Sequence, residues 1–345
     1  MKRVATILCI SCSLLLNSPF VAAQDLHFSQ FMQSPLLTNP ANTGFIPEGD
    51  YRFGINYRNQ WASLSAFPYK TMSAFGDVQL LQNQNETGWL GAGGLILRDV
   101  AGTGVLTSTK VYGSLAYHQM VNNGSLVSLG FNVGWANKRI NTTNLTFPSQ
   151  WNGQFFDVHQ TGLAPAFDAT AINYLDIQTG INYAYFPNSN TYVNAGFSAM
   201  HINRPVESFW NTTTGIDNRI AVRYNAFLNG SFKVNDRLIL HPNMYFSTQA
   251  SAWELVGGLS ASYDVSGVGD YVLSLGTYYR VGESLIPTIG LGFNNLLFNF
   301  SYDITNSSLK NYINRRGAFE FSLIKQGILD PYRGNRRQSL CPSFQ

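Results

Sequence analysis

The side chains that most often carry out chemistry form no recognisable site in this sequence. Its five histidines lie in unrelated segments, without the spacing of metal ligands: His27, His118, His159, His201 and His241. No G-x-S-x-G elbow and no phosphate-binding glycine loop occurs beside them. We therefore predict that the protein is not an enzyme and uses neither a cofactor nor a metal ion.

A second group of candidates consists of polar side chains that could meet inside the fold. Five of them fall on the polar side of stretches in which apolar and polar residues alternate: Arg219, Arg223, Arg280, Glu254 and Glu320. The N-terminal region adds amide side chains that could bond them: Gln30, Asn39 and Asn42. Inward charges of this kind can form a transport filter, or ion pairs that hold a barrel together, the commoner case. The elements that position them decide where they lie.

The first residues indicate export. Lys2 and Arg3 form a positive region, an apolar stretch follows from Ala5 to Leu16, and small residues at 21–23 suit cleavage after Ala23.

Cleavage would leave only Cys341 of three cysteines, so no internal disulfide is expected. It would also lower the net charge from +3 to about +1, which does not suit a nucleic-acid binder.

Composition favours an outer-membrane β-barrel. Charged residues make up only 12% of the chain, while aromatic residues reach 14%. No apolar run of about 18 residues follows the signal peptide, so a membrane-spanning helix is not expected. Few charges and many aromatics without a spanning helix are typical of a barrel whose strands face lipid on one side.

The alternation supports this interpretation. From 127 to 135 every second residue is apolar, and the residues between them are small or polar. In the stretches 253–263 and 271–281 aromatic residues stand at both ends of the apolar face, as two membrane–water interfaces would select. We predict fourteen strands, at 51–58, 69–82, 87–98, 105–119, 125–139, 178–187, 191–203, 218–231, 237–248, 253–264, 270–282, 285–293, 296–304 and 317–327.

The lengths of the connections agree with a barrel. The long gaps follow strands 1, 5, 7 and 13, all odd-numbered, while even-numbered gaps such as 294–295 are short. With an even number of strands and both ends in the periplasm, odd-numbered connections face outward, where barrels carry longer loops. The predicted organisation is a signal peptide at 1–23, an N-terminal segment at 24–50, a barrel at 51–327 and a periplasmic tail at 328–345.

The N-terminal segment reads neither as helix nor as strand. Pro35 and Pro40 interrupt regular structure, yet large apolar side chains such as Phe28 and Phe31 need burial. We predict that the segment folds up into the lumen as a partial plug. The alternative is a lid that packs under the periplasmic rim.

Several stretches together resemble one known family. They are "HFSQFMQSPLLTNPANTG" (27–44), "YRNQW" (57–61), "LDIQTGINYAYFPNSNTYVNAGFSAMHINRP" (175–205), "SYDITNSSLKNYINRRGAFEFSL" (301–323) and "CPSF" (341–344). In this order they resemble the PorP/SprF family of outer-membrane proteins, which belong to type IX secretion and gliding machinery in Bacteroidetes-type bacteria. The resemblance implies a non-enzymatic role in exporting or anchoring cargo with a type IX C-terminal signal, such as adhesins. It also implies periplasmic lipoprotein partners.

Two further regions are candidates for partner contacts. The long outer loops carry aromatic residues that suit a protein–protein surface, namely Trp151, Phe155, Phe156, Phe209 and Trp210. Alternatively, these side chains pack on one another over the barrel mouth. The tail has Arg333, Arg336 and Arg337, which could meet an acidic periplasmic partner or remain solvated.

The prediction from sequence is therefore a fourteen-stranded outer-membrane barrel that acts in type IX secretion. Two other functions stay open: a passive channel or hydrophobic-solute transporter, and a barrel enzyme for which no catalytic constellation is found.

Overall fold

The computed structural model describes residues 28–329, apart from residues 48, 63–67, 82–86, 103–105, 142–144, 146–149, 156, 158–168 and 211–217. The predicted signal peptide lies outside the described residues, and so does the tail from residue 330 onward. Helix in the described part is limited to one-turn pieces: 3-10 turns at Phe31–Gln33, Pro40–Asn42 and Ser308–Asn311 and an α-turn at Pro35–Thr38. None of them has the length and apolarity that crossing a membrane would require.

Fourteen antiparallel strands form a closed barrel, as the alternation predicts. Each strand pairs with its neighbours in the sequence, and β1 closes the barrel on β14, in a register that runs from Tyr51 opposite Gly327 to Gln60 opposite Ala318. The strands are β1 (Tyr51–Gln60), β2 (Tyr69–Leu80), β3 (Gly88–Ala101), β4 (Leu106–Asn122), β5 (Ser125–Arg139), β6 (Ala171–Asn188), β7 (Thr191–Met200), β8 (Arg223–Asn235), β9 (Leu238–Gln249), β10 (Ala252–Asp264), β11 (Tyr271–Arg280), β12 (Ser284–Phe293), β13 (Leu296–Thr305) and β14 (Arg316–Gly327).

The barrel has two different rims. Connections that follow odd-numbered strands include the long ones at 61–68, 140–170, 201–222 and 306–315, and we name this end the loop rim. The opposite end, the turn rim, carries the connections that follow even-numbered strands, together with Asp50 and the end of β14. The four longest connections thus follow odd-numbered strands, as the sequence predicts.

The two faces of the wall differ as lipid on one side requires. On β5 the side chains of Val127, Leu129 and Phe131 point outward and are exposed, whereas Ser128 and Asn132 point into the lumen and are buried. Successive residues of a strand face opposite sides of the sheet, so apolar and polar residues separate along its whole length. The pattern is that of a membrane barrel with a polar interior.

Two strand starts differ from the prediction by five residues or more, and the other boundaries differ by four residues at most. β6 begins at Ala171 and not at 178. The prediction missed its first residues because Tyr174 faces the lumen and Asn173 faces outward, which hides the alternation of apolar and polar residues. β8 begins at Arg223 and not at 218. The neighbouring strand β7 ends at Met200, and the chain then turns at His201 with a φ of 58°, so β8 has no strand of the wall beside it before Arg223. Arg219 instead forms an isolated antiparallel bridge with Val206.

Residues 28–47, which we name the lumen segment, lie inside the barrel. Leu36, Asn39, Ala41 and Thr43 are fully buried against the wall. Pro35 and Pro40 each occupy the first position of a short helical turn, where a missing backbone N–H costs nothing. The chain then leaves the lumen at the turn rim, where the backbone N–H of Asp50 donates to the carbonyl oxygen of Gly327 at 2.8 Å.

Glycines in the wall make room for this segment. A Cβ atom at Gly91 would lie 1.9 Å from the carbonyl oxygen of Thr43, and one at Gly130 would lie 2.4 Å from the backbone of Pro40 and Ala41. No side chain fits at these distances. The backbone of the lumen segment can approach β3 and β5 only because both positions are glycine.

We expect that Gly130→Val displaces the lumen segment without preventing barrel formation. The added side chain would overlap Pro40 and Ala41, whereas the strand itself favours valine. The displacement is measured by protease digestion of the residues N-terminal to the barrel, followed by mass spectrometry. Barrel formation is measured by the heat-dependent shift in migration on gels. Gly113→Val is the control, because a Cβ there meets nothing closer than 3.9 Å. Equal protection of both variants would contradict the assigned packing.

Candidate functional site

The lumen segment begins within a network of buried charges in the half of the barrel nearest the loop rim. Five strands, β1, β10, β11, β13 and β14, supply its side chains: Arg58, Glu254, Arg280, Asp303 and Glu320, all buried. Arg280 Nε donates to Glu254 Oε1 at 3.0 Å, and Arg58 Nη2 donates to Asp303 Oδ2 at 2.9 Å. Arg58 also pairs with Glu320, its neighbour across the β1–β14 seam.

Ser29 of the lumen segment lies at the centre of this network. Its hydroxyl donates to the carboxylate of Asp303, with O–O distances of 2.9 and 3.0 Å. The same oxygen accepts from Arg58 Nη1 at 2.7 Å and from Arg280 Nη2 at 2.6 Å. One donor and two acceptor positions are all a hydroxyl has, so this side chain is fully used.

Glu320 holds the backbone at the same point. Its Oε1 accepts from the N–H of Ser29 at 2.7 Å, and its Oε2 accepts from the N–H of Gln30 at 2.9 Å. A carboxylate bound by two successive backbone donors forms charge-assisted hydrogen bonds, which are stronger than neutral ones. The start of the lumen segment is thus fixed to the wall by its backbone as well as its side chains.

A second anchor lies nearer the turn rim. The N–H of Gly44 donates to Asp77 Oδ2 at 2.7 Å, and Arg52 Nη2 binds both that carboxylate, at 2.7 Å, and the carbonyl oxygen of Asn42, at 3.1 Å. Asp77 therefore holds the segment directly and through the arginine. All three polar side chains are buried.

Aromatic rings complete this second anchor. The imidazole of His118 stacks between Phe45 and Trp89, with ring centroids 5.8 and 5.0 Å apart. His118 Nε2 lies 2.8 Å from the carbonyl oxygen of Thr43, and Trp89 Nε1 donates to that of Gly44 at 3.0 Å. The histidine thus faces inward and holds the chain in place.

The three amide residues predicted to bond inward charges take different partners. Gln30 bonds the predicted Glu320 through its backbone, and its side-chain Nε2 donates to Ser301 Oγ at 2.9 Å. Asn39 Nδ2 donates to the carbonyl oxygen of Ile181 at 2.9 Å. Asn42 accepts from Asn182 at 3.1 Å. The last two residues therefore bond the wall's backbone and amide groups.

Of the five predicted inward charges, four face the lumen. Arg280, Glu254 and Glu320 belong to the network around Ser29, whereas Arg223 bonds Ser247 at 2.7 Å and the hydroxyl of Tyr245 at 3.1 Å. Arg219 does not face the lumen: it is exposed in the connection before β8, and its Nη1 donates to the carbonyl oxygen of Arg204 at 3.3 Å. The prediction failed there because the strand begins four residues later.

Sequence reasoning missed two groups of buried residues. Arg58 and Asp303 were not assigned to the lumen contacts, although alternation along β1 and β13 places them on the inner face. The second group joins Asp176, which accepts from the hydroxyl of Tyr112 at 2.5 Å, to His201, whose Nδ1 lies 2.8 Å away. Alternation continued from β7 would place His201 on the outward face with Phe197. It turns inward because β7 ends one residue before it.

The long connections at the loop rim contact each other. The N–H of Ala169, in the 140–170 connection, donates to the carbonyl oxygen of Phe209, in the 201–222 connection, at 3.2 Å. Glu207 of the second connection pairs with Lys138 of β5 and accepts from the hydroxyl of Tyr174 of β6 at 2.8 Å. Trp151, Phe155 and Trp210 are each about half exposed, at 49%, 58% and 46%, and Phe209 is partly buried. Phe156 lies outside the described residues, as do Arg333, Arg336 and Arg337.

Within the described ranges, no group of three or more histidine, cysteine, aspartate or glutamate side chains could hold a metal ion. The carboxylates of the two anchors, Asp77, Asp303 and Glu320, each pair with an arginine and bind the lumen segment, so they position the chain.

We expect Glu320→Ala to lower the free energy of unfolding by about 3–5 kcal/mol, because it removes one of the two buried carboxylates that bind Arg58 and leaves two backbone N–H groups unbonded. Denaturant titration of the protein in detergent, followed by tryptophan fluorescence, measures the loss. Glu283→Gln is the matched control: Glu283 pairs with the buried Arg280 but is itself 43% exposed, so we expect a loss of at most about 1 kcal/mol. Similar losses for both variants would contradict the assignment.

Solved structures similar to this chain include a hydrocarbon channel, a FadL homologue and a toluene transporter. A TodX deltaS2 mutant, a monoaromatic hydrocarbon channel, has a TM-score of 0.52 and 11% identity, over 85% of this chain and 93% of that one. A Pseudomonas aeruginosa FadL homologue has a TM-score of 0.51 and 10% identity, over 85% and 94%. The P. putida toluene transporter TodX has a TM-score of 0.50 and 12% identity, over 86% and 95%. At such low identity the likeness shows the fold alone.

A search of curated proteins finds no match. The profile of one family, described as type IX secretion system membrane protein PorP/SprF, matches residues 20–324. The match covers the lumen segment, both of its anchors and nearly all of the barrel. This chain therefore belongs to the PorP/SprF family of type IX secretion system membrane proteins.

Proposed function

We propose that this protein is an outer-membrane component of the type IX secretion and gliding machinery that supports export and surface anchoring of cargo such as adhesins. In this proposal the loop rim faces the cell exterior and contacts cargo with a type IX C-terminal signal. The turn rim faces the periplasm, where a lipoprotein or another subunit of the machine binds. The family match carries the proposal.

The occupied lumen supports an anchoring role over a free channel. Ser29, Leu36, Asn39 and Thr43 are buried along the length of the lumen segment, and the segment is held at two levels of the wall. A solute crossing the barrel would have to displace these contacts or pass beside them. A barrel that carries a protein partner has no need of an open lumen.

The loop rim offers a surface for that partner. Trp151, Phe155 and Trp210 present large aromatic surfaces. The contacts of Glu207 with Lys138 and Tyr174 hold the 201–222 connection to β5 and β6, and the bond from Ala169 to Phe209 joins it to the 140–170 connection. Aromatic side chains on a supported surface are what protein interfaces use as their main contacts. The tail, with Arg333, Arg336 and Arg337, follows β14 at the turn rim and suits an acidic partner there.

A second candidate function is a passive channel or a transporter of hydrophobic solutes. It rests on the barrel fold alone, which this chain shares with a monoaromatic hydrocarbon channel and with the P. putida toluene transporter. Conductance of the purified protein in planar bilayers separates the two candidates. A wide and steady pore in the unmodified protein would favour the channel.

We expect the joint variant Trp151→Ala, Phe155→Ala and Trp210→Ala to reduce cargo at the cell surface by about tenfold or more, as loss of aromatic contacts does at protein interfaces. Surface labelling of cells measures the cargo. Tyr312→Ala is the control, because Tyr312 is an exposed aromatic residue at the same rim but in a different connection.

Affinity purification from mildly solubilised membranes tests the wider proposal. We expect secretion-machine subunits and cargo to copurify with the protein, and deletion to reduce cargo at the surface. Recovery of no such subunit, together with normal cargo export after deletion, would refute the proposal.

A further inference from the structure

A cavity of about 620 Å³ occupies the part of the lumen that the lumen segment leaves open. It begins at the turn rim, beside Asp270 and the β12–β13 turn at 294–295, and ends at Phe31, Met32 and Gln33. Its wall consists mainly of β9 to β13. The volume lies within the range of about 300–1,000 Å³ that is typical of ligand sites.

Two carboxamide groups in this cavity have an atom without a hydrogen-bond partner among the described residues. Asn243 is only 5% exposed; its Nδ2 donates to the carbonyl oxygen of His241 and the hydroxyl of Tyr278, both at 3.0 Å, but its Oδ1 accepts nothing. Asn299 Nδ2 donates to nothing. A buried polar atom left unbonded is costly. Asn243 on β9 offers an acceptor and Asn299 on β13 offers a donor, which are the two kinds of partner that the N–H and C=O groups of a peptide chain bond.

Apart from Asp270 at the mouth, the rest of the polar lining is neutral, and many of its side chains are hydrogen-bonded to other side chains of the wall. A chain of hydrogen bonds runs across four strands from Ser231 to His241 at 2.9 Å, to Ser262 at 3.0 Å and to Ser274 at 2.8 Å. Asp270 at the mouth is the one lysine, arginine, aspartate or glutamate among the lining residues. The cavity therefore does not suit a phosphate, a lipid headgroup or another strongly charged ligand.

Apolar side chains lie among these polar groups. Ile239, Val272 and Leu297 line the wall, and Met32 projects from the lumen segment with 36% of its surface exposed. A methionine side chain is flexible and polarisable, so it adapts to apolar groups of varied shape. A ligand here meets both apolar surface and amide-bonding groups.

We propose that this cavity binds an uncharged, extended segment of polypeptide that enters from the turn rim. An extended chain presents N–H and C=O groups along its length and side chains on alternating sides, which matches Asn243, Asn299 and the apolar lining. A hydrocarbon would leave both carboxamide atoms unbonded. This site lies at the opposite rim from the aromatic loops, so it is independent of cargo binding at the loop rim.

The test uses the full-length protein in detergent and a dye-labelled, blocked hexapeptide of alternating serine and valine. We expect saturable binding by fluorescence polarisation, weakened about tenfold or more by Ser274→Trp, which fills the cavity. Leu275→Trp is the matched control, because the adjacent Leu275 faces lipid with 55% exposure and should leave binding unchanged. Thr288→Trp fills the cavity from β12 and serves if the first variant does not fold.

Four outcomes would overturn the proposal. The first is no saturable binding of the peptide to the unmodified protein. The second is equal binding of a peptide with lysine in place of serine. The third is equal binding of the serine–valine peptide by all the tryptophan variants. The fourth is toluene binding that Ser274→Trp blocks while the peptide does not bind, which would assign the cavity to an apolar solute.

Discussion

Closure of the sheet between β1 and β14 is the constraint on which the rest of this structure depends. Lipid offers no hydrogen-bond partner to a backbone N–H or C=O group, so an open sheet edge within a membrane would leave a row of such groups unsatisfied. The ten paired positions from Tyr51–Gly327 to Gln60–Ala318 remove that edge. Once the barrel is closed, each strand has one lipid face and one lumen face, and the separation of apolar from polar side chains follows.

Closure also creates an interior that must be filled or hydrated. In this protein the lumen segment fills much of it, and the wall is adapted to the segment at the level of the backbone. Gly91 and Gly130 let the chain approach, while Glu320 and Asp77 bind its N–H groups. These features belong to strands that are far apart in the sequence. The segment and the wall therefore form one packed unit, which is consistent with the anchoring role that we propose.

The membrane barrel separates the regions available for contact. Aromatic residues of the long connections lie at the loop rim, whereas the neutral cavity opens at the turn rim. The two anchors of the lumen segment lie between them. A partner at one rim and a partner at the other would thus be joined through packed and hydrogen-bonded structure.

Alternation along the chain determined the fold class, the number of strands and the face of most side chains, because the side-chain period of a strand is two and lipid selects one face. It located β5 at its observed ends and placed Arg280, Glu254 and Glu320 inside. It misplaced Arg219 and His201, since the early end of β7 and the late start of β8 depend on pairing between strands.

Only the tertiary structure decided which inward residues meet. Ser29 binds Glu320 and Asp303 because closure brings β13 and β14 beside the start of the lumen segment. Periodicity specifies a side of the wall, but not a position around it.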